Sequence, residues 1–367
     1  MRCIVGQSSQ TQAEACVNEV TKQFVNPKVI LYYSPTKQFG ECTRLLHERF
    51  PDCICMGATV IESITKNGAS KQGLTAMALG EGIKACAGVL EDADTYPIKY
   101  AGNVKDCVQK IGSHRDTICL EFTTAFCCAE ESVLSVLNSV LMDYDIPLIG
   151  GSAGNDTTDT ITYVGLNGKV YSNSCVFALL HNEKGAIHFF RENIYKPMND
   201  HILVATKVDY VNRIVREYNH EPATRAFAKE LGVAESQISK YLDTHPMGRI
   251  FGKHMYITAN CAEVEGKGMS YHARIYNNSQ TVVLEPDDYR RVVQETMEKI
   301  RQEVPRPSFS IMCHCLARTL LFEGDGYMQE YARTMGTVLG DYVGFSGYGE
   351  QLRRQQLNQT MIVAVFE

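Results

Sequence analysis

The chain has 367 residues, 36 Lys and Arg against 42 Asp and Glu, a formal net charge of −6 and 44% hydrophobic residues. That length predicts two or three folded units, and the ordinary apolar fraction excludes disorder as the dominant state. The mild negative charge offers no field for nucleic acid or anionic lipid, no apolar run reaches the ~18 residues that cross a bilayer, and the start has no apolar core of signal-peptide length. A cytoplasmic protein with no nucleic-acid or membrane partner is expected, its 14 cysteines carried as free thiols. No CxxC occurs, so a structural metal centre is not expected.

In chain order, Ala13, Cys16, Val17, Val20 and Phe24 repeat at helical spacing behind a Thr11-x-x-Glu14 capping box, which predicts a helix ended at Asn26-Pro27. Residues 28–33 form a continuous apolar run of strand length, followed by a helix over 36–50. The runs CICMGATVI and GLTAMAL read as strands, and the polar turn between them, 65–73, suggests that they pair antiparallel. A helix over 98–111, a strand over 117–122 and an amphipathic helix over 130–142 follow, the last with Val133, Val136, Leu137 and Val140 inward. Asn167-Gly168 is the favoured type I′ pair between two apolar strands. Further on come a strand at 201–208, a Pro-started helix over 222–231 ended by Gly232, a short helix at 236–242, three or four strands between 250 and 284, and a long helix over 287–303 stopped by Pro305 and Pro307.

Residues 117–180 and 308–366 follow one plan: strand, loop, helix, short strand into a glycine turn, then a final apolar strand. The order of elements predicts an α+β fold of two related mixed-sheet halves with flanking helices, an internal duplication, and a boundary near Asn199 that gives segments 1–199 and 200–367.

The two glycine turns are the candidate ligand site. Glycines after a short strand permit positive φ and close approach of another molecule to backbone N–H groups. Gly150, Gly151, Ser152 and Asn155 are expected to contact an anionic group. Gly344, Phe345, Ser346, Tyr348 and Glu350 add apolar surface, a hydroxyl and a carboxylate that would receive an ammonium group. The structural alternative is that the glycines only shape sharp corners. Neither turn has the spacing of a nucleotide-binding loop. In Cys313-His314-Cys315 the thiols share one strand face and the imidazole takes the other, a candidate acid, base or haem ligand or else a hydrogen-bonded core histidine. Cys127-Cys128 precedes a helix start that could activate a thiol, though no local base accompanies it. Glu121 and Glu350, in or near strand ends, could hold a ligand ammonium or be solvated.

The residues CICMGATVIESITKNG, PLIGGSAGND, HEPATRAFAKELG, THPMG and YVGFSGYGE together resemble the FIST family over essentially the whole chain. The first glycine motif departs from the usual G-C-T-T-A-G-E, reading Gly57-Ala58-Thr59-Val60-Ile61-Glu62. The resemblance implies a bacterial or archaeal sensory protein that binds a small molecule, an amino acid or similar metabolite, and signals through a separate partner such as a kinase or receptor. It also carries the alternative of a haem-dependent nitric oxide sensor, for which His314 or His245 would be the axial ligand. A cysteine-dependent enzyme is the third reading.

Overall fold

In the computed structural model, which describes residues 3–367, the chain forms two compact units that interleave in sequence. The first holds the chain up to Arg191 together with Thr296–Arg354 and Met361–Glu367; the second holds Glu192–Glu295 and Gln355–Thr360. The two segments expected to be duplicated, 117–180 and 308–366, therefore contribute their main strands to one unit. The architecture is α+β, 28% helical and 39% strand, with several mixed sheets.

The strands of the first unit are β1 (Cys3–Ser8), β2 (Val29–Ser34), β3 (Ile54–Thr59), β4 (Glu62–Thr65), β5 (Gly68–Ser70), β6 (Leu74–Leu79), β7 (Ile83–Leu90), β8 (Thr117–Thr123), β9 (Leu148–Ser152), β10 (Val164–Leu166), β11 (Lys169–Tyr171), β12 (Cys175–Asn182), β13 (Ile187–Asn193), β14 (Phe309–Cys315), β15 (Asp341–Gly347), β16 (Gly349–Leu352) and β17 (Thr360–Phe366). Its helices are α1 (Ala13–Val20), α2 (Thr36–Arg49), α3 (Ala101–Ile111), α4 (Glu130–Leu141), α5 (Leu316–Gly324) and α6 (Met328–Leu339), and the expected long helix, Tyr289–Glu303, enters it from Thr296 on.

These strands make three sheets on a single plan. At the centre of each lies a parallel pair joined by a helical crossover: β2/β3 through α2, β8/β9 through α4, and β14/β15 through α5 and α6. β2, β8 and β14 are buried at every position, which explains their unbroken apolar runs. Each pair is flanked on one side by an antiparallel strand, β6, β12 or β17. The outer edge beyond it is β1, β7 or β13. On the other side stands a second antiparallel strand that comes from a different repeat. The strand following β3, β4, pairs with β15; the strand following β9, β10, pairs with β3; the strand following β15, β16, pairs with β9. The duplication read from sequence is present, and the structure adds a third copy at residues 29–79. Each repeat thus completes its neighbour's sheet in a closed cycle.

Two local expectations change. The strands 54–59 and 74–79 share a sheet but do not pair; β2 lies between them, parallel to one and antiparallel to the other, because the intervening β4 and β5 leave for another sheet. The first helix has Gln12 at its N-cap and no side-chain cap, so the Thr11/Glu14 capping box does not form. The type I′ hairpin is as expected, with Asn167 and Gly168 at φ 48° and 80° joining β10 to β11.

The second unit is an antiparallel sheet, with Gln280–Pro286 between Met247–Phe251 and Leu203–Asp209, and Ile214–Tyr218 between Leu203–Asp209 and Gly268–Tyr271. The helix Ala223–Leu231 buries Ala223, Ala226 and Phe227 in a core with Val215, Tyr218, Met269 and Tyr271, and ends at Gly232 in the left-handed region. Among the described residues no helix is long and apolar enough to cross a membrane.

Candidate functional site

The carboxyl ends of the three parallel pairs converge in the first unit. Residues two past the matching strand positions hydrogen-bond around a ring: Gly154 N–H donates to Thr59 O (2.8 Å), Tyr348 N–H to Ser152 O (3.1 Å) and Ile61 N–H to Ser346 O (3.1 Å). Inside this ring sit three aromatic residues, Tyr33, Phe122 and Phe345, with centroids 5.1–5.6 Å apart in every pairing. Thr59, Ser152 and Ser346 are equivalent positions, as are Gly57, Gly150 and Gly344, which oppose Tyr32, Glu121 and Met312 across the parallel pairs.

The glycines do not act as expected. None of Gly150, Gly151, Gly344, Gly347 or Gly349 has positive φ; Gly150 and Gly151 lie within β9 and Gly344 within β15, all buried. They are needed because other groups of this chain press on the backbone. A Cβ on Gly150 would overlap the carbonyl and carboxyl oxygens of Glu121, one on Gly151 would lie 2.6 Å from the Phe345 ring, and one on Gly347 would strike Ser152 O. Close approach is real, but the approaching molecule is the protein itself.

All the remaining sequence-predicted residues come together here. Ser152 and Ser346 are fully buried, Glu350 pairs in register with Gly151, and Gly349 with Ser152. Tyr348, half-buried, donates its hydroxyl to Asn155 Oδ1 (2.7 Å), and the Asn155 amide in turn holds the exposed loop that follows by donating to the carbonyls of Asp159 and Ile161. Against Tyr348 stands Phe126, 46% exposed, with ring centroids 4.7 Å apart. Phe126 and Cys128 both have positive φ, 69° and 52°, in the loop between β8 and α4. Two non-glycine residues in the left-handed region within three positions mark a loop held in an uncommon shape by its surroundings.

Beneath this face lie two polar clusters, one under each helix start. In the second repeat, Ser152 Oγ donates to Glu130 (3.3 Å) at the first turn of α4 and accepts from Gln351 (3.1 Å). Glu121 accepts from Thr123 (2.6 Å), and the Cys175 thiol is 3.4 Å away. Burial, with Glu130 nearby, pushes the Glu121 carboxyl up to about 8 in spite of these hydrogen bonds, so it is protonated at neutral pH. Its Oε1 has no hydrogen-bond partner. In the third repeat, Thr319 donates to Ser346 (2.8 Å) and its hydroxyl lies 3.1 Å from His314 Nδ1, while Arg318 donates through Nε to His314 Nε2 (3.3 Å). Burial and the Arg318 charge hold His314 well below its ordinary range, neutral.

Those contacts occupy both ring nitrogens of His314, so it offers no lone pair to a haem iron and is the hydrogen-bonded core histidine. His245 has Nδ1 2.9 Å from Thr244 and an edge contact with Tyr241. Cys313 and Cys315 are buried. Burial raises Cys127, whose thiol donates to Thr124 O (3.2 Å), the opposite direction from the lowering that a helix start would supply; Cys128 is exposed. Among the described residues no group of three or more His, Cys, Asp or Glu could hold a metal. Glu130, Thr319, Arg318, Gln351 and Phe126 were not foreseen as part of this site. Their positions at the starts of α4 and α5 and in the strand after the second glycine turn were the available signal.

Two family models match the chain: the FIST N domain over residues 28–221 and the FIST C domain over residues 223–353. Repeats one and two fall in the first, and the central pair of repeat three in the second. No curated protein matches.

Proposed function

Given that the chain belongs to the FIST family, whose domains are small-ligand sensory modules of signal transduction, we propose that it binds an amino acid or similar metabolite at the carboxyl ends of β8, β9 and β15. The ligand lodges against Tyr348, Phe126 and Asn155 and reaches inward toward Ser152 and Glu350. What carries this reading is the convergence of both glycine segments on one ring. Carboxyl ends of parallel strands are where open α/β sheets gather ligand-binding loops, and here they also hold an uncommon loop conformation and an aromatic pair, Phe126 exposed and Tyr348 half-buried.

Ser152, Ser346 and Glu350 are sealed from solvent, so the ligand's polar head reaches them through movement of the 124–129 and 155–162 loops. That movement is the signal: a ligand shifts the loops only by its differential affinity for the moved arrangement, and a separate partner, such as a kinase or receptor, reads it. Thermal-shift and calorimetric titration against amino acids and small organic acids test the binding. Saturable stabilisation, lost in Tyr348→Ala and Phe126→Ala, is expected; binding that survives both substitutions, or no binding across the set, sinks the site.

A further inference from the structure

A cavity of about 280 Å³ lies at the amino end of β9, away from the ring. The turn after β16 lines it with Arg353 and Arg354, α4 with Asn138, and the connection from α4 to β9 with Met142, Asp145, Ile146 and Pro147. All of these residues belong to the first unit. Ser152 stands at the other end of β9, about 13 Å of extended chain from Leu148, so this place is separate from the site proposed above. Backbone hydrogen bonds fix the arginine turn on both sides: Arg353 N–H donates to Leu148 O (2.7 Å), and Asn138 Nδ2 donates to Arg353 O (2.9 Å). Arg353 has φ 54°, in the left-handed region that glycine or asparagine adopts at less cost. Among the described residues neither guanidinium has a hydrogen-bond or ion-pair partner, and the Asp145 carboxylate has none either.

We propose that this cavity is a second binding site, for a small phosphate ester that also carries an amine, such as an amino-sugar phosphate. Each guanidinium offers a planar fork of N–H donors and a permanent positive charge. Two of them side by side match a phosphate monoester, with its three terminal oxygens and charge of about −2, better than they match a single carboxylate. Asp145 makes the opposite demand. Its carboxylate follows the end of α4, where the helix dipole also favours a cation, so the amine lies there and the phosphate lies at the arginines. The Asn138 amide nitrogen donates to Leu134 O (2.8 Å) as well as to Arg353 O, which leaves Oδ1 to accept from a sugar hydroxyl. Met142, Ile146 and Pro147 give the carbon frame apolar contact. The volume falls at the small end of ligand sites, roughly 300–1,000 Å³, and suits one sugar ring with its phosphate.

Isothermal titration of the full chain tests this with glucosamine 6-phosphate and glucosamine 1-phosphate, which differ in the spacing of amine and phosphate, and with glucose 6-phosphate and inorganic phosphate beside them. At least one amino-sugar phosphate is expected to bind saturably, ~10-fold or more tighter than glucose 6-phosphate and inorganic phosphate. Arg353→Gly and Arg354→Gln should each weaken that binding by ~10-fold or more, and Asp145→Asn should erase the preference over glucose 6-phosphate. Glycine at 353 and asparagine at 145 suit the positive φ of those positions, 54° and 51°, so a lost signal is not a lost fold, and a thermal melt of each variant checks this. Should a variant melt early, the comparison of the four ligands on the parent chain decides. Three results overturn the proposal: no saturable binding of either amino-sugar phosphate up to ~10 mM, inorganic phosphate bound as tightly as they are, or an affinity that neither arginine substitution changes.

Discussion

The second and third repeats place the same backbone around opposite chemistry. β8/β9 and β14/β15 share register, crossover, glycine position and ring hydrogen bond, yet under α4 the second repeat gathers Glu121 and Glu130 while under α5 the third gathers His314 and Arg318. Glu121 and His314 are both buried and neutral, one by holding a proton and one by refusing it. The difference separates what the ring requires from what each repeat is free to vary. Every repeat needs a glycine opposite the partner strand and a hydroxyl at the strand end, Thr59, Ser152 or Ser346. The residue opposite the glycine, Tyr32, Glu121 or Met312, has diverged.

If the ring is one cooperative element, emptying its aromatic centre harms both repeats together. Phe345→Ala should cost ~3–5 kcal/mol, as large buried aromatics do, and urea unfolding of the first unit should remain a single transition. A loss below ~1 kcal/mol, or a split transition, would mean the repeats stand independently.

The glycines distinguish the repeats next. At Gly150 an added methyl meets backbone oxygen of Glu121, which cannot turn aside, whereas at Gly344 the nearest atom is Met312 Cβ at 3.1 Å, with an adaptable side chain beyond it. Gly150→Ala should therefore destabilise by ~1–3 kcal/mol and Gly344→Ala by clearly less, measured by denaturant midpoints. Equal losses would show that the two glycines serve one purpose after all.

The opposite shifts of Glu121 and His314 predict opposite pH limbs. Glu121 is raised to about 8 in the fold against ~4.3 unfolded, so below the unfolded value both states hold the proton and its contribution is level. Between the two values the unfolded chain releases a proton that the fold retains, and stability falls with rising pH by up to ~1.4 kcal/mol per unit, levelling above 8. His314, held below its ordinary value, acts the other way: its stability is present above ~6.5 and is lost as pH falls below that. Glu62, raised to about 7 by burial and by Glu323 against the pull of Lys71, adds to the same fall with rising pH, between ~4.3 and about 7. Glu121→Met, which installs the third repeat's residue in the second, should flatten the alkaline slope and leave the acid limb in place. A slope unchanged by this substitution would locate the titration elsewhere.

Much of this fold was legible locally. The strand at 117–122, the helix from Glu130, the Asn167-Gly168 hairpin and the kinship of 117–180 with 308–366 all follow from short-range periodicity and turn chemistry. The third copy was hidden because β4 and β5 interrupt it between its parallel pair and β6, and nothing local in Glu62–Thr65 says that it pairs with β15, more than 270 positions later. Position, but not role, was legible at the glycines, since the groups that press on them come from other strands. Glu121 read equally as a solvated strand end or a ligand contact; its burial is supplied by α4 and β12, which only the assembled sheet brings over it.

The smallest effect probes the one predicted residue that reaches the surface. Tyr348→Phe deletes the hydroxyl that bonds Asn155 but keeps the ring against Phe126, so the loss of stability should be near ~1 kcal/mol, the usual net value of one partly exposed hydrogen bond. Asn155 would still hold the carbonyls of Asp159 and Ile161, and so the 156–161 loop should loosen rather than unfold. Hydrogen exchange separates these outcomes: faster exchange confined to the loop is expected, while β9 and β15 stay protected. The third repeat would then touch the second repeat's loop through a single side chain, with the ring itself unaffected. Exchange spreading into Ser152 or Ser346 would instead tie the surface hydroxyl to the buried clusters, and the contrast between a fixed ring and variable surroundings would have to move inward by one layer.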